Sequence, residues 1–421
     1  MVAAQLARKG LGAVLIDGSG RAGHGVAYST REPAHVLNVR AEMMSAWPDD
    51  PENFVRLVEQ EGGDRRDFVQ RQQFGRYLKA VLKEGVDTGH LRVVEQHAVA
   101  AEPKGSGWSV RLTDGRAVEA DALVLAIGNQ PPEPLPFAKA GARLINNPWG
   151  PEALAAVEEL AATHDDVLLV GTGLTMVDAV LSLDAAGHQG RMVGLSRRGL
   201  VPRGHTDFAP APVEAAEVPH GNVRALWRWL RRRGAEVGWR AAIDALRPHS
   251  QALWQALPLV EQQRFSRHAR PWWDVHRHRI APEVAQRLHD LVAEGRLEIV
   301  AGRIQAVEEE GDALTVTYRR RGASEAHSGR FAYIINCTGP LGTITRTRDP
   351  LLRTMLDDEL ARPDQLGIAL DVDERSRVAG APRAWAIGPL TKGRYWEIIA
   401  VPDIRGQAAA VAEDISRELG Q

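Results

Sequence analysis

DVLLVGTGLTMVDAVLSL, residues 166–183, runs from a hydrophobic strand through a glycine turn into an apolar helix. In a dinucleotide-binding βαβ unit the first glycine, here Gly171, permits the turn, and the second, Gly173, lets the backbone approach a pyrophosphate. Leu174 and Thr175 then open the helix, whose N-terminus offers unpaired N–H donors and the positive end of its dipole. Met176 stands where a third glycine is expected, which weakens the argument from helix–strand packing and leaves the phosphate site untouched. Alone, the stretch is equally compatible with an ordinary glycine-containing βα turn. The next strand, RMVGLS (191–196), ends in SRRG (196–199), where the second strand of such a unit meets the adenosine ribose. An acid there favours NAD. Arg197 or Arg198 can instead pair with a 2′-phosphate, so the cofactor expected for this unit is NADPH.

Further strands of buried character recur at AVLID (13–17), ALVLAIG (122–128), FAYIINCTG (331–339) and RAWAIG (383–388). Helical segments alternate with several of them, which predicts a doubly wound α/β fold. Between 92 and 120 three β-rich runs, with turns at Gly105, Gly107 and Asp114-Gly115, predict a β-meander. LAIGN (125–129) and NCTGP (336–340) each close a buried strand on a small residue and a turn, which places Gly128 in one and Thr338 and Gly339 in the other. The Pro-rich NQPPEPLP (129–136) marks the first domain boundary. From 205 to 293 the composition shifts to Arg, Trp and His, and Leu226, Trp229, Leu230 and Arg233 fall at helical spacing, which predicts a helical insertion packed on the α/β body. Interleaved Arg and Trp also suit nucleic-acid stacking, but buried tryptophans under a solvated helix face account for the same pattern. His268, His276, His278 and His289 suggest a metal, yet no carboxylate or cysteine completes a ligand spacing, so neither nucleic acid nor metal is expected.

The opening MVAAQLARKGLGAVLID (1–17) sets Val2, Ala3, Leu6 and Ala7 at helical spacing, ends the run at Gly10 and Gly12, and closes a strand on Asp17. It reads as the second half of a βαβ unit whose first strand and G-x-G-x-x-G turn are missing. Composition sets the remaining limits. A chain of 421 residues has ample core for two or three domains, and 52 Lys and Arg against 54 Asp and Glu leave a net charge of -2, too small a field to recruit nucleic acid or an anionic membrane. Cys337 is the only cysteine, which rules out an intramolecular disulfide framework; with no run of about 18 apolar residues and no secretory start, a cytoplasmic protein is expected.

GHGVAYST (23–30), HVLNVRAEMMSAWPDDPENF (35–54), GTGLTMVD (171–178) and GPLTKGRYWEIIAVPDIRGQAAAVA (388–412) resemble an FAD/NAD(P)-binding family. That family includes FAD-dependent urate hydroxylase and the aspartate N-monooxygenase that forms nitrosuccinate, and it is related to flavin-containing monooxygenases. The resemblance covers nearly the whole chain. It implies an α/β fold of two Rossmann-like dinucleotide-binding domains, for FAD and NADPH, with a β-meander and a helical insertion. The FAD domain would comprise 1–135 and 341–421, the NADPH domain 136–204 and 294–340, and the insertion 205–293. Carried over residue by residue, Asp17 matches the ribose-binding acid, and Gly23, Gly25, Tyr28, Asn38, Val39, Met44 and Ser45 fall in loops that lie against FAD. Gly128, Gly388 and Pro389 match strand ends beside it, while Pro402 and Asp403 open a last helix aimed at the flavin pyrimidine edge. Asn38, Met44, Ser45 and Trp396 are the flavin-proximal candidates; ordinary apolar packing is the favoured reading of Trp47 and competes for Trp396. Relatives carry a strand and glycine turn just before the residues matching MVAAQLARKG, so the native protein is expected to begin upstream of Met1 and the 421-residue form to hold FAD poorly.

The activity this implies is an FAD- and NADPH-dependent monooxygenase, an N- or C-hydroxylase of a small polar substrate: NADPH delivers hydride to the flavin and the reduced flavin reacts with molecular oxygen. The helical insertion would serve as a lid or substrate wall. A flavin reductase or oxidase that oxygenates no substrate is one alternative. A non-catalytic nucleotide-binding or regulatory protein is another, favoured by the missing first glycine loop. A disulfide reductase needs a redox-active cysteine pair that this chain lacks.

Overall fold

The computed structural model describes residues 1–161 and 163–420. Helix α1 (Val2–Arg8) buries Val2, Ala4, Leu6 and Ala7 and leads into β1 (Ala13–Ile16). Helices α2 (Gly25–Tyr28), α3 (Asn53–Gln60) and α4 (Arg71–Asp87) follow, then β2 (Leu91–Val94), which pairs in parallel with β1. Strands β3 (Ala98–Lys104), β4 (Gly107–Leu112) and β5 (Ala117–Ala120) form the antiparallel meander, and β6 (Leu123–Leu125) leaves it to join a parallel pairing. The meander is therefore shorter than the sequence pattern suggests. Residues 91–94 are apolar enough to serve the parallel layer, and the turn at Gln96–His97 separates them from β3.

The second layer begins with β7 (Leu144–Ile145), α5 (Pro151–Leu160), β8 (Val167–Val170), α6 (Leu174–Ala185) and β9 (Met192–Ser196). Six helices follow: α7 (Val223–Val237), α8 (Trp239–Ala245), α9 (Ser250–Gln255), α10 (Leu259–Arg264), α11 (Arg270–Arg277) and α12 (Pro282–Ala293). Then come β10 (Leu297–Glu310), β11 (Ala313–Arg320), β12 (Ala326–Phe331) and β13 (Tyr333–Asn336). The sheet order is β12-β11-β10-β9-β8-β13-β7, parallel from β10 to β7 and antiparallel beyond it. Val167, Leu168 and Leu169 of the central strand β8 are fully buried, as a strand covered on both faces requires. The helical insertion therefore sits between β9 and β10, with α12 as the crossover helix. Met176 is fully buried in the core between α6 and the sheet. It fills the interface between helix and strand at the position where the motif expects a third glycine.

Helix α13 (Pro350–Asp357), β14 (Ala384–Ala386) and α14 (Val401–Glu418) complete the chain. β14 pairs in parallel with β6 and, on its other edge, with residues 376–378. The N-terminal parallel layer thus consists of two two-stranded halves, β1-β2 and β6-β14. Ala13 and Asp17 donate toward β2, which turns the N–H groups of Val14 and Ile16 to the opposite, unpaired edge. Val14 is accordingly 37% exposed, while Ile16 packs on the core that holds Leu123, Leu125 and Ala386. The two halves wall one core without a described strand between them.

Candidate functional site

Gly171 and Gly173 play different parts. Gly171 has φ +110°, and a Cβ there would lie 2.2 Å from the Cys337 carbonyl oxygen, so the turn exists because β8 and β13 approach too closely for a side chain. Gly173 caps α6 with an ordinary φ of -88°, and a Cβ there meets no atom within 4 Å. No side chain caps α6, which leaves the first N–H groups of the helix, those of Leu174 and Thr175, without a side-chain acceptor. Thr338 and Gly339 adjoin it: the Thr338 N–H and hydroxyl both donate to the Asn336 side-chain oxygen, and Gly339 turns the chain at φ +89°.

A residue overlooked in the sequence fixes this turn to the next strand. Buried Thr172 donates its hydroxyl to the Leu200 carbonyl at 2.5 Å, which leaves it to accept from Ser196 Oγ at 2.8 Å, while Ser196 accepts from the Gly199 N–H at 3.0 Å. The SRRG loop is thereby locked beside the glycine turn. Of its two arginines, Arg197 lines a pocket of about 260 Å³ with Gly302, Arg303, Arg319, Arg320 and Arg321; Arg198 does not.

On the N-terminal side Asp17 follows β1, its Oδ1 accepting from the Ser19 N–H and hydroxyl. Gly23 and Gly25 both have positive φ, and Tyr28 packs edge-on against Phe74 at 4.7 Å. The Asn38 carbonyl accepts from His205 Nε2 at 3.1 Å, which joins this loop to the segment leading into the helical insertion, and Val39 packs beside it. Met44 and Ser45 are buried in the same core as Trp47. The Ser45 hydroxyl is spent within its own loop, donating to the Asp50 carbonyl at 2.7 Å, with the Trp47 carbonyl the alternative acceptor at 3.2 Å, and accepting the Trp47 N–H. The Arg8 guanidinium covers the Trp47 ring at 3.1 Å.

Gly128 and Gly388 end β6 and β14 at φ +73° and +62°, Gly388 donating to Gln407 and Pro389 continuing the turn. Pro402 and Asp403 form the first turn of α14, which has no side-chain cap. Asp403 Oδ2 is buried without a hydrogen-bond partner, and burial raises its pKa against the opposing pull of Arg277 and Arg247. Around it lies a charge cluster between the insertion and residues 392–403. Glu397, 4% exposed, accepts from Trp273 Nε1 at 2.8 Å and pairs with Arg277 at 3.2 Å. Burial works against its charge, but His278 and Arg277 outweigh it and hold its pKa low. The Arg247 side chain, which feels the charges of Asp403 and Glu397, has neither a hydrogen bond nor an ion pair among the described residues. Trp396 stacks on Trp254 at 4.5 Å, with Lys392 Nζ 4.8 Å from its ring centroid and lowered to about 8 by burial and Arg270.

Residues 1–130 match the FAD-NAD(P)-binding family. No curated protein matches the sequence. The fold recurs at full length in solved structures. L-lysine 6-monooxygenase from Pseudomonas syringae aligns with 99% of this chain and 96% of its own at 16% identity and a TM-score of 0.69. The Kutzneria sp. 744 ornithine N-hydroxylase, with reduced FAD, NADP+ and L-ornithine, aligns with 100% and 97% at 15% identity and 0.68. The bacillithiol disulfide reductase from Staphylococcus aureus aligns with 100% and 95% at 13% identity and 0.60. This chain therefore has the two-nucleotide α/β flavoprotein fold expected from its sequence.

The residues present fit such cofactors. The space at Gly173, the uncapped α6 terminus and the arginine pocket suit a phosphorylated dinucleotide, and the uncapped α14 with the orphaned Asp403 oxygen suits the polar edge of a flavin. Four members of the charge cluster, Arg247, Arg277, Lys392 and Glu397, escaped sequence reading: Arg277 and Glu397 fall in HARPWWDVHRHR and RYWE, which look like apolar packing on a solvated face, Arg247 and Lys392 lie outside both stretches, and only the fold makes the four neighbours. Cys337 is buried and its thiol pKa is raised by burial, the opposite of an activated redox thiol. Among the described residues no group of three metal-ligating side chains converges, and no helix is long and apolar enough to cross a membrane.

Proposed function

We propose that this protein is an FAD- and NADPH-dependent monooxygenase that hydroxylates a small polar substrate, with NADPH on the β8-α6-β9 unit and FAD on the N-terminal layer. The observation that carries the reading is the open space at Gly173 facing an uncapped helix, beside a strand that ends in Arg197. FAD, reduced by NADPH, supplies the oxygen chemistry when bound. The chain's residues position the partners. The Leu174 and Thr175 N–H groups hold a pyrophosphate, Arg197 a 2′-phosphate, and Asp17 a ribose.

The structural neighbours act on ornithine and lysine, and an amino acid or amine suits the charge cluster here. Arg247 supplies an unused guanidinium for a carboxylate. Trp396, Trp254 and Phe265, packed ring on ring, exclude water from one side. Cytoplasmic residence belongs to the same reading, since NADPH and a reduced thiol suit that compartment.

The test is NADPH consumption by flavin-loaded protein across amino acids, purines and amines, scored for hydroxylated product. Coupled product is expected. Peroxide alone with every substrate overturns the monooxygenase in favour of an oxidase, and protein that takes up no flavin overturns both.

A further inference from the structure

Strands β10 and β11 place Arg303 directly opposite Arg319 across the antiparallel ladder. Like charges in that position repel, and proteins ordinarily avoid the arrangement. Here it is compounded. Arg321 follows β11 with its N–H on the Ala301 carbonyl, and Arg197 leaves β9 where Ser196 faces Ala301, so both join the pair around the same pocket of about 260 Å³. No carboxylate lines this pocket. Arg320 is neutralised by Glu298 at 2.5 Å, whereas Arg197, Arg303, Arg319 and Arg321 have no ion pair or side-chain hydrogen bond among the described residues. Four unpaired guanidiniums round one concavity make a receptor for a compact dianion. Planar, forked donors match the oxygens of a phosphomonoester better than the single charge of a carboxylate.

We infer that this pocket takes the 2′-phosphate of NADPH, and that Arg303 and Arg319 of the β10-β11 hairpin, with Arg197 and Arg321, set the preference for NADPH over NADH while Arg198 does not. The inference rests on the NADPH reading above. It extends that reading from the strand end, where a sequence motif looks for it, to a hairpin more than 100 residues later. Location supports the ligand: the pocket adjoins the end of β9, and Thr172 and Ser196 lock that end to the glycine turn. An adenosine reaching from the turn thus arrives at the arginines. A terminal phosphate of another metabolite, or free phosphate, offers the same dianion, so the experiment separates these sources.

Binding of 2′,5′-ADP, 5′-AMP, NADH and inorganic phosphate is measured by calorimetry on the purified protein and on Arg303→Gln/Arg319→Gln and Arg198→Gln, all checked for native circular dichroism. The wild type is expected to bind 2′,5′-ADP at least roughly tenfold more tightly than 5′-AMP. The hairpin variant should lose that ratio and leave 5′-AMP and NADH unchanged, and Arg198→Gln should keep it. A ratio retained in the hairpin variant overturns the inference and leaves the NADPH reading standing. A wild type without the ratio overturns both. Inorganic phosphate bound as tightly as 2′,5′-ADP, and lost in the same variant, assigns the pocket to free phosphate instead. Because the variant also removes a like-charge pair, its ligand-free melting temperature should match or exceed that of the wild type; a large fall indicates a structural role and overturns the assignment.

Discussion

Arg71 of α4 and Asp178 of α6 form a bidentate ion pair at 2.8 and 2.9 Å, both side chains more than nine-tenths buried. Arg71 Nε also donates to the Val36 carbonyl, and the Asp178 carbonyl accepts from His35 Nε2, so one polar junction ties the N-terminal layer to α6. Buried pairs of this kind add little over an apolar replacement, but removing one partner strands a charge. Asp178→Ala should therefore cost about 3–5 kcal/mol in urea unfolding, and Arg71→Met/Asp178→Leu should recover most of it. A loss below about 1 kcal/mol for the single variant would show that Arg71 finds water.

The two glycines of the turn should separate fold from function. Gly171→Ala forces a methyl onto the Cys337 carbonyl at a left-handed φ and is expected to destabilise by about 2 kcal/mol or more. Gly173→Val meets open space, so it should fold and keep its flavin content but block pyrophosphate approach and slow flavin reduction by NADPH. Stopped-flow reduction and thermal melting read the two effects. Normal reduction in Gly173→Val, or flavin loss with NADPH affinity intact, reverses the domain assignment.

Thr172→Val preserves shape and removes the hydroxyl that links Leu200 to Ser196. Leaving that carbonyl without its donor should cost about 1–3 kcal/mol. NADPH should also bind more weakly as the SRRG loop loosens, with flavin content unchanged. Calorimetric NADPH titration checks this, and an unchanged affinity would show that backbone pairing of β9 alone positions the loop.

The strands were legible because each buried parallel strand is a short continuous apolar run, and 167–170, 192–196, 333–336 and 384–386 all lie inside the predicted stretches. Boundaries between layers were not: 91–94 and 98–104 have similar composition, and only their partners tell a parallel strand from a meander strand. At Met176 the motif departs from its third glycine, and only the fold shows that the methionine itself fills the space between helix and strand. Arg71 and Asp178 stand 107 positions apart, and Arg303 meets Arg319 only through the β10-β11 register. No local pattern announces such pairs, since what matters is which unpaired charges the chain brings together.

His205 couples the segment before the insertion to the Asn38 loop and gives the fold an acid limit. Its ring donates Nε2–H to the Asn38 carbonyl and packs on Phe68 at 4.9 Å. Burial first, and then the charge of Arg279, lower its pKa to about 4, against an ordinary value of 6.5. Between these values the unfolded chain binds a proton that the folded protein refuses. Stability therefore rises with pH from about 4 to about 6.5 and is flat for this group on either side. The difference amounts to about 3 kcal/mol over the window. His205→Asn keeps an N–H donor for the Asn38 carbonyl and does not titrate, so its urea-unfolding free energy should fall less than that of the wild type between pH 6.5 and 4, by about 3 kcal/mol. Identical pH profiles would mean that the His205 ring leaves its pocket and protonates in water without unfolding the chain.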